Sequence, residues 1–219
     1  AGIKVSDGLN VVETAADGSF TLPGHERERF IFITTPSGYK TFNRHYHKIE
    51  KKQSGYDFGL IPYSGRIRKD GSHRYIHITD TEIFNTENHA DWVNNVRDYA
   101  RNEQAAFIIH TGDICYEKGL KAHIKLMNTE NMDCPVFYCI GNHDLVKGKY
   151  GEELFESIYG PVYYSFDAGN VHYVVTPMPG GDHAPGYTSD DVCRWLKNDL
   201  AHIRPGTPVV VFNHDLLTY

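Results

Sequence analysis

Residues 106–144 read AFIIHTGDICYEKGLKAHIKLMNTENMDCPVFYCIGNHD, and this stretch decides the fold. AFIIHTGD (106–113) is a compact apolar run that stops at Gly112 and Asp113. LKAHIKLMNTEN (120–131) has helical spacing, and PVFYCIGNHD (135–144) is a second apolar run, stopping at Gly141, Asn142, His143 and Asp144. Strand, helix, strand, with each strand halted by polar residues, predicts parallel strands joined by a crossover helix.

The pattern extends both ways. Upstream, RYIHITD (74–80) is a β-run ending at Asp80, with Glu82 two residues on, and HADWVNNVRDYARNEQ (89–104) places Trp92, Val93, Val96, Tyr99 and Ala100 at helical spacing. Downstream, VYYSFDAGNVHYVVTP (162–177) reads as two β-runs joined by an Ala-Gly-Asn turn. SDDVCRWLKNDLAHI (189–203) predicts a helix with Ser189 as its N-cap, and PVVVFNHD (208–215) a last strand ending at His214 and Asp215. From His73 onward the class is α/β. Residues 1–65 differ: short alternating runs such as VVET and RFIFITT, punctuated by SDG, ADG, LPG and PSG, predict a small all-β sandwich. IPYSGRIRKDGSH (61–73) has linker composition, so the expected organisation is a sandwich over 1–65, a linker over 66–72 and a second domain over 73–219.

Composition narrows the functional classes. The 219 residues are 40% hydrophobic and 23% charged, with 15 Tyr and 11 Phe, which fits a folded domain with a real core. A formal charge of −6, with no long basic run, argues against nucleic-acid binding by bulk charge. No stretch approaches the roughly 20 consecutive apolar residues of a membrane span. Cys115, Cys134, Cys139 and Cys193 follow no zinc or disulfide spacing and read mostly as buried thiols.

Chemistry is concentrated at the strand ends. Asp80 with Glu82, Asp113, Asn142 with His143 and Asp144, and His214 with Asp215 each follow an apolar run, and in parallel sheets ligands bind beyond the carboxyl ends of strands. Asp, Asn and His together suit zinc, manganese or iron, and a carboxylate can bridge two ions. Two ions roughly 3.5–4 Å apart can polarise a phosphoryl group and lower the pKa of a bound water. Gly112 and Gly141, directly before ligand candidates, allow a close backbone approach.

The ordered blocks DxE (80–82), GDxxY (112–116), GNHD (141–144) and a strand-terminal His214 resemble those of the calcineurin-like metallophosphoesterase superfamily, over residues 75–219. The resemblance implies a four-layered α/β/β/α metallophosphoesterase sandwich, here preceded by the small all-β sandwich domain. It implies two divalent metal ions (Mn, Zn or Fe, with Mg possible): Asp80 on the first, Asp113 bridging, and Asn142 and His214 on the second. It also implies a hydroxide on the metals as nucleophile, with His143 contacting the phosphate and stabilising the transition state or protonating the leaving oxygen. Asp144 would orient the His143 imidazole. SDGLNVVETAADGSFTLP (6–23) and FIFITTPSGY (30–39) resemble the transthyretin-like or carboxypeptidase-regulatory-like sandwich that precedes some bacterial members. That implies a structural or docking module and an exported, periplasmic or cell-surface, setting.

The blocks depart from the family in three places. Glu82 stands where the family has His, and either supplies an oxygen to the first metal or supports a ligand. Tyr116 matches the tyrosinate position of purple acid phosphatases, although a lid or pocket position is the favoured reading. The family's closing GHxH block does not follow His214 before Tyr219, which reads as a fragment. Among other histidines, His45 and His47 are expected on a solvated β-face, His77 in the core or an interface, and His110 supporting Asp113; His172 and His183 have no evident partner. PMPGGDHAPGY (177–187) reads as a flexible substrate loop. The leading expectation is a hydrolase of a small-molecule phosphomonoester or phosphodiester; the alternative is a non-catalytic surface or binding protein with a degenerate metal site. Substrate and oligomeric state stay open.

Overall fold

The computed structural model describes residues 1–51, 53, 55–146 and 148–215. The last residues of the expected second domain, 216–219, lie outside them. The elements in order are β1 (Lys4–Ser6), β2 (Val11–Glu13), β3 (Phe30–Ile33), β4 (Tyr39–Thr41), β5 (Tyr46–Lys48), β6 (Leu60–Pro62), β7 (Tyr75–Ile78), α1 (Ala90–Asn102), β8 (Phe107–His110), α2 (Tyr116–Leu126), α3 (Thr129–Met132), β9 (Val136–Tyr138), α4 (Glu153–Tyr159), β10 (Tyr164–Ala168), β11 (Val171–Val175), α5 (Ser189–Ala201) and β12 (Val209–Phe212). A 3-10 turn spans Asn142–Asp144.

Strands β7, β8 and β9 form a parallel sheet in that order, with Ile76 opposite Ile108 and Ile109 opposite Phe137. Their crossovers carry α1, and α2 with α3. Val93, Val96 and Ala100 of α1 pack with Ala122, Met127 and Met132 against Ile76, Ile78, Ile108 and Val136 on one sheet face. Trp92 and Tyr99, expected in that stripe, are exposed instead, because the buried stripe is only as wide as the sheet beneath it. The single helix expected over 120–131 is broken: the Asn128 side chain accepts from the Glu130 and Asn131 N–H groups and caps α3 as a separate turn.

β10 and β11 form the expected antiparallel hairpin, turning at Gly169 (φ +56°), and β12 adds parallel to β11. This sheet packs face to face on the first through aromatic rings. Phe137 stacks on Phe166 at 3.7 Å, Phe107 meets Phe166 and Tyr173 edge-on at 5.0 Å, and Tyr173 stacks on Phe212. α5 covers the far face through buried Trp195 and Asp199, completing the four layers α/β/β/α. The cap of α5 is Thr188 rather than Ser189: its hydroxyl accepts from the Asp191 N–H, while the Asp191 carboxylate accepts from the Thr188 N–H.

The N-terminal strands build an antiparallel sheet β2-β1-β3-β5 and a pair β4-β6. Alternation along β3 sends Ile31 and Ile33 into a small cluster with Val5, and Phe30 and Phe32 into the main aromatic core. Thr35 then bridges in parallel to Phe166 of β10, so the N-terminal sheet shares a core with the sheets that follow. Polar contacts join the two regions as well. Imidazole His172, 1% exposed, lies between Asp167 (2.7 Å) and Asp199 (2.8 Å); Asp167 pairs with Lys4, and the Ser165 hydroxyl links Asp199 to Thr34. Burial opposes the charge on His172, but both carboxylates outweigh it and hold its pKa above the usual value. A partner for His172 is thus found where the sequence offered none.

Other histidines differ from expectation too. His45 is not on a solvated face: its ring lies 4.6 Å from Tyr164, burial lowers its pKa to about 4, and its Nε2 is buried with no hydrogen-bond partner among the described residues. His47 donates to the Asp57 carbonyl and packs on Phe58. His77, expected in the core or an interface, is exposed on β7, where it bonds Thr111 Oγ1 and its ring lies 5.9 Å from that of Phe212 on β12. Cys115, Cys134 and Cys139 are buried thiols, whereas Cys193 is exposed on α5.

Candidate metal centre

Four strand ends converge. Asp80 lies just past β7, Asp113 past β8, Asn142 past β9 and His214 past β12. The connecting backbone is strained there: Asp80 (φ +53°), Glu82 (+46°), Asp113 (+53°), Cys115 (+118°) and Tyr116 (+54°) all occupy positive φ, at a cost of about 1–3 kcal/mol each. Such conformations persist only where the surroundings enforce them. Here the Asp80 N–H donates to the Gly112 carbonyl, and the Cys115 and Gly141 N–H groups donate to the two oxygens of Asp144.

Glycines permit the approach. A Cβ on Gly112 (φ +104°) would lie 2.5 Å from Gly141 N and 2.7 Å from its Cα, and a Cβ on Gly141 would overlap Asp113. The close contact is therefore between the two candidate ligand loops themselves, which holds Asp113 and Asn142 side by side.

Asp80, Asp113 and His214 each offer a ligand atom, and these lie within 4.8 Å of one another. His214 Nδ1 is 2.8 Å from the Thr111 carbonyl, which can only accept, so Nδ1 carries the hydrogen. In the neutral ring Nε2 is then a lone pair, and it faces Asn142 Oδ1 at 3.2 Å and Asp113 Oδ1 at 3.4 Å. Three electron-rich atoms pointed at one another call for a cation between them. Two carboxylates, an amide oxygen and an imidazole suit manganese, zinc or iron, so the residues fit the metals the sequence implies. Glu82 is exposed and outside this group.

His143 stands next to it. Its N–H donates to Asp113 Oδ1 (3.1 Å), its ring lies 5.1 Å from that of Tyr116, and its Nδ1 is 2.8 Å from Asp182 Oδ2. The Asp182 hydrogen bond, against a smaller effect of burial, raises the His143 pKa. Asp144 does not orient this imidazole, contrary to expectation. Fully buried and committed to the two N–H groups above, it braces the loops, and burial pushes its pKa up to about 6. Asp182 was missed because nothing local distinguishes it; its only sequence signal is membership of the 177–187 loop. His110 does support Asp113, through the backbone. Its Nδ1 accepts from the Gly112 N–H and its Nε2 bonds Thr81 Oγ1, and burial, then neighbouring histidines, keep it neutral. His183 is exposed on the same loop.

A two-sheet sandwich with Asp, Asn and His at its strand ends defines a class of metal-dependent hydrolases. The family model for calcineurin-like phosphoesterase matches residues 73–218, and that for the N terminal of calcineurin-like phosphoesterase matches residues 1–62. The chain belongs to the calcineurin-like phosphoesterase family, whose members are metal-dependent phosphoesterases. No curated protein sequence matches it. Among the described residues, no helix is long and apolar enough to cross a membrane.

Proposed function

We propose that this protein hydrolyses a small phosphomonoester or phosphodiester at a dinuclear centre. The observation that carries the reading is the convergence of Asp80, Asp113 and His214 with the Asn142 oxygen, beside His143. Asp80, Asp113, Asn142 and His214 would hold the metal ions. When bound, the ions supply an activated water as nucleophile and polarise the phosphoryl group. The chain's own residues do the rest. The Thr111 carbonyl fixes His214 in the tautomer that presents a lone pair, Asp144 locks the two loops, and His143 meets the phosphate and assists departure of the leaving oxygen. Tyr116, half exposed beside His143, borders the substrate side, and Glu82, outside the candidate group, would support a ligand or supply an oxygen from its edge.

Turnover of p-nitrophenyl phosphate and bis-p-nitrophenyl phosphate with manganese, zinc and iron tests the proposal, together with metal content. Two equivalents of metal and turnover abolished by Asp113→Ala and by His143→Ala are expected. An intact fold that holds no metal and turns nothing over refutes the enzyme and leaves a binding protein that has kept the fold.

A further inference from the structure

The loop over 177–187, read from its composition as a flexible substrate loop, makes several specific contacts in the structure. Asp182 N–H donates to the Asn142 carbonyl (3.1 Å), and Gly181 packs so closely that a Cβ would lie 2.6 Å from that oxygen. Ala184 accepts from the Gly151 N–H, the Tyr187 hydroxyl donates to the Met178 carbonyl, and the Gly186 N–H donates to Glu152. The N-terminal region holds the far end. Arg29 pairs with buried Glu152 at 2.8 Å, and Arg27 donates to the Gly186 carbonyl at 3.1 Å. Gly181 and Asp182 are thus tied to the Asn142 loop, Ala184 and Gly186 to the segment before α4, and Gly186 to Arg27 as well.

We propose that Asp182 is the positioning residue of His143. The inference rests on the proposed phosphoester hydrolysis for its role and on geometry alone for its existence. A carboxylate 2.8 Å from Nδ1 fixes the ring's rotation and keeps a hydrogen on Nδ1, leaving Nε2 as the nitrogen that meets substrate. As the attacking water oxygen bonds to phosphorus and the P–O bond to the leaving group breaks, that bond's electron pair leaves on the ester oxygen, which takes the Nε2 proton of the doubly protonated ring and leaves a neutral imidazole whose remaining hydrogen, on Nδ1, faces Asp182. The Asp182 side chain meets the His143 ring and stands outside the candidate ligand cluster, so it acts through His143. Its delivery on a loop braced by Arg27 and Arg29 gives the N-terminal region a part in holding the centre in shape.

The test uses the protein labelled with 15N-histidine, and the His143 ring resonances are assigned by their loss in His143→Gln. In the parent they report a hydrogen on Nδ1. Asp182→Ala is expected to move them toward the tautomer mixture of free imidazole with the melting temperature unchanged; unchanged resonances overturn the proposal. With manganese, the same variant is expected to lose roughly 10²-fold or more on phenyl phosphate and several-fold less on p-nitrophenyl phosphate, whose leaving group needs no proton, with KM little altered. Asp182→Glu is expected to recover part of the loss. Equal losses on both substrates, or no recovery, assign Asp182 a merely structural role and also overturn it. A parent that turns over neither ester defeats the phosphoesterase reading, while the resonances still decide whether Asp182 positions the ring.

Discussion

Replacing Gly112 by Ala probes the junction on which the candidate centre depends. Two costs add. An L side chain at φ +104° is strained by about 1–2 kcal/mol, and its Cβ meets the backbone of Gly141 at 2.5 and 2.7 Å and of Ile140 at 2.9 Å. Rigid backbone cannot yield as a side-chain tip does, so overpacking adds about 1–3 kcal/mol. The total of roughly 2–5 kcal/mol corresponds to a fall in Tm of about 4–20 °C for a chain of this size. Gly206→Ala is the internal control: its φ is +89° but nothing lies within 4 Å of the added Cβ, so it bears the strain without the clash. Thermal melts of the parent and both variants read the difference. A manganese titration of Gly112→Ala reads the consequence for the centre, because the displaced loop carries Asn142. An ångström of misplacement at such a site lowers turnover by about 100-fold. Should the two variants melt within a degree of each other and Gly112→Ala bind manganese as the parent does, the loops do not touch as described.

Other outcomes follow from the same geometry. Asp113→Asn removes the charge nearest the middle of the candidate centre, and its manganese affinity, read by calorimetry, is expected to fall by more than the roughly 10–100-fold that loss of a supporting partner costs. His172→Ala leaves Asp199 buried without its cation and is expected to cost about 3–5 kcal/mol by denaturant unfolding, with no direct effect on metal binding. The buried Glu156 carboxyl has its pKa raised to about 7, by burial first, with Arg29 opposing and Glu152 adding. In the folded state it therefore binds a proton that the unfolded chain has released. Its contribution to stability is full below about pH 4.5 and is lost as pH rises through 7. Glu156→Gln should flatten the stability profile between those limits, and an unchanged slope in chemical denaturation would exclude this carboxyl as its source.

The candidate ligand set was legible because each member sits immediately after an apolar run. Local periodicity locates the strand, and the parallel arrangement then sends every strand's carboxyl end to one rim. Asp80, Asp113, Asn142, His143 and His214 needed no knowledge of distant partners, and neither did the two glycines. The roles of Asp144 and Asp182 were a different matter. Both lie near His143, but adjacency in the chain favoured Asp144, whose side chain folds back onto the Cys115 and Gly141 N–H groups. Asp182 reaches the imidazole from 39 positions away on a loop held by the Asn142 carbonyl, Glu152 and Arg27. His45 and His172 were unreadable for the same reason: whether a ring on a short strand meets water or a neighbouring layer depends on which sheet packs over it. The sequence by itself thus determined the order of strands, the crossovers and the candidate ligands at their ends, since these rest on patterns a few residues long. Only the tertiary structure decided which carboxylate faces which imidazole and that the N-terminal sheet shares the core, since these depend on contacts between segments distant in the chain.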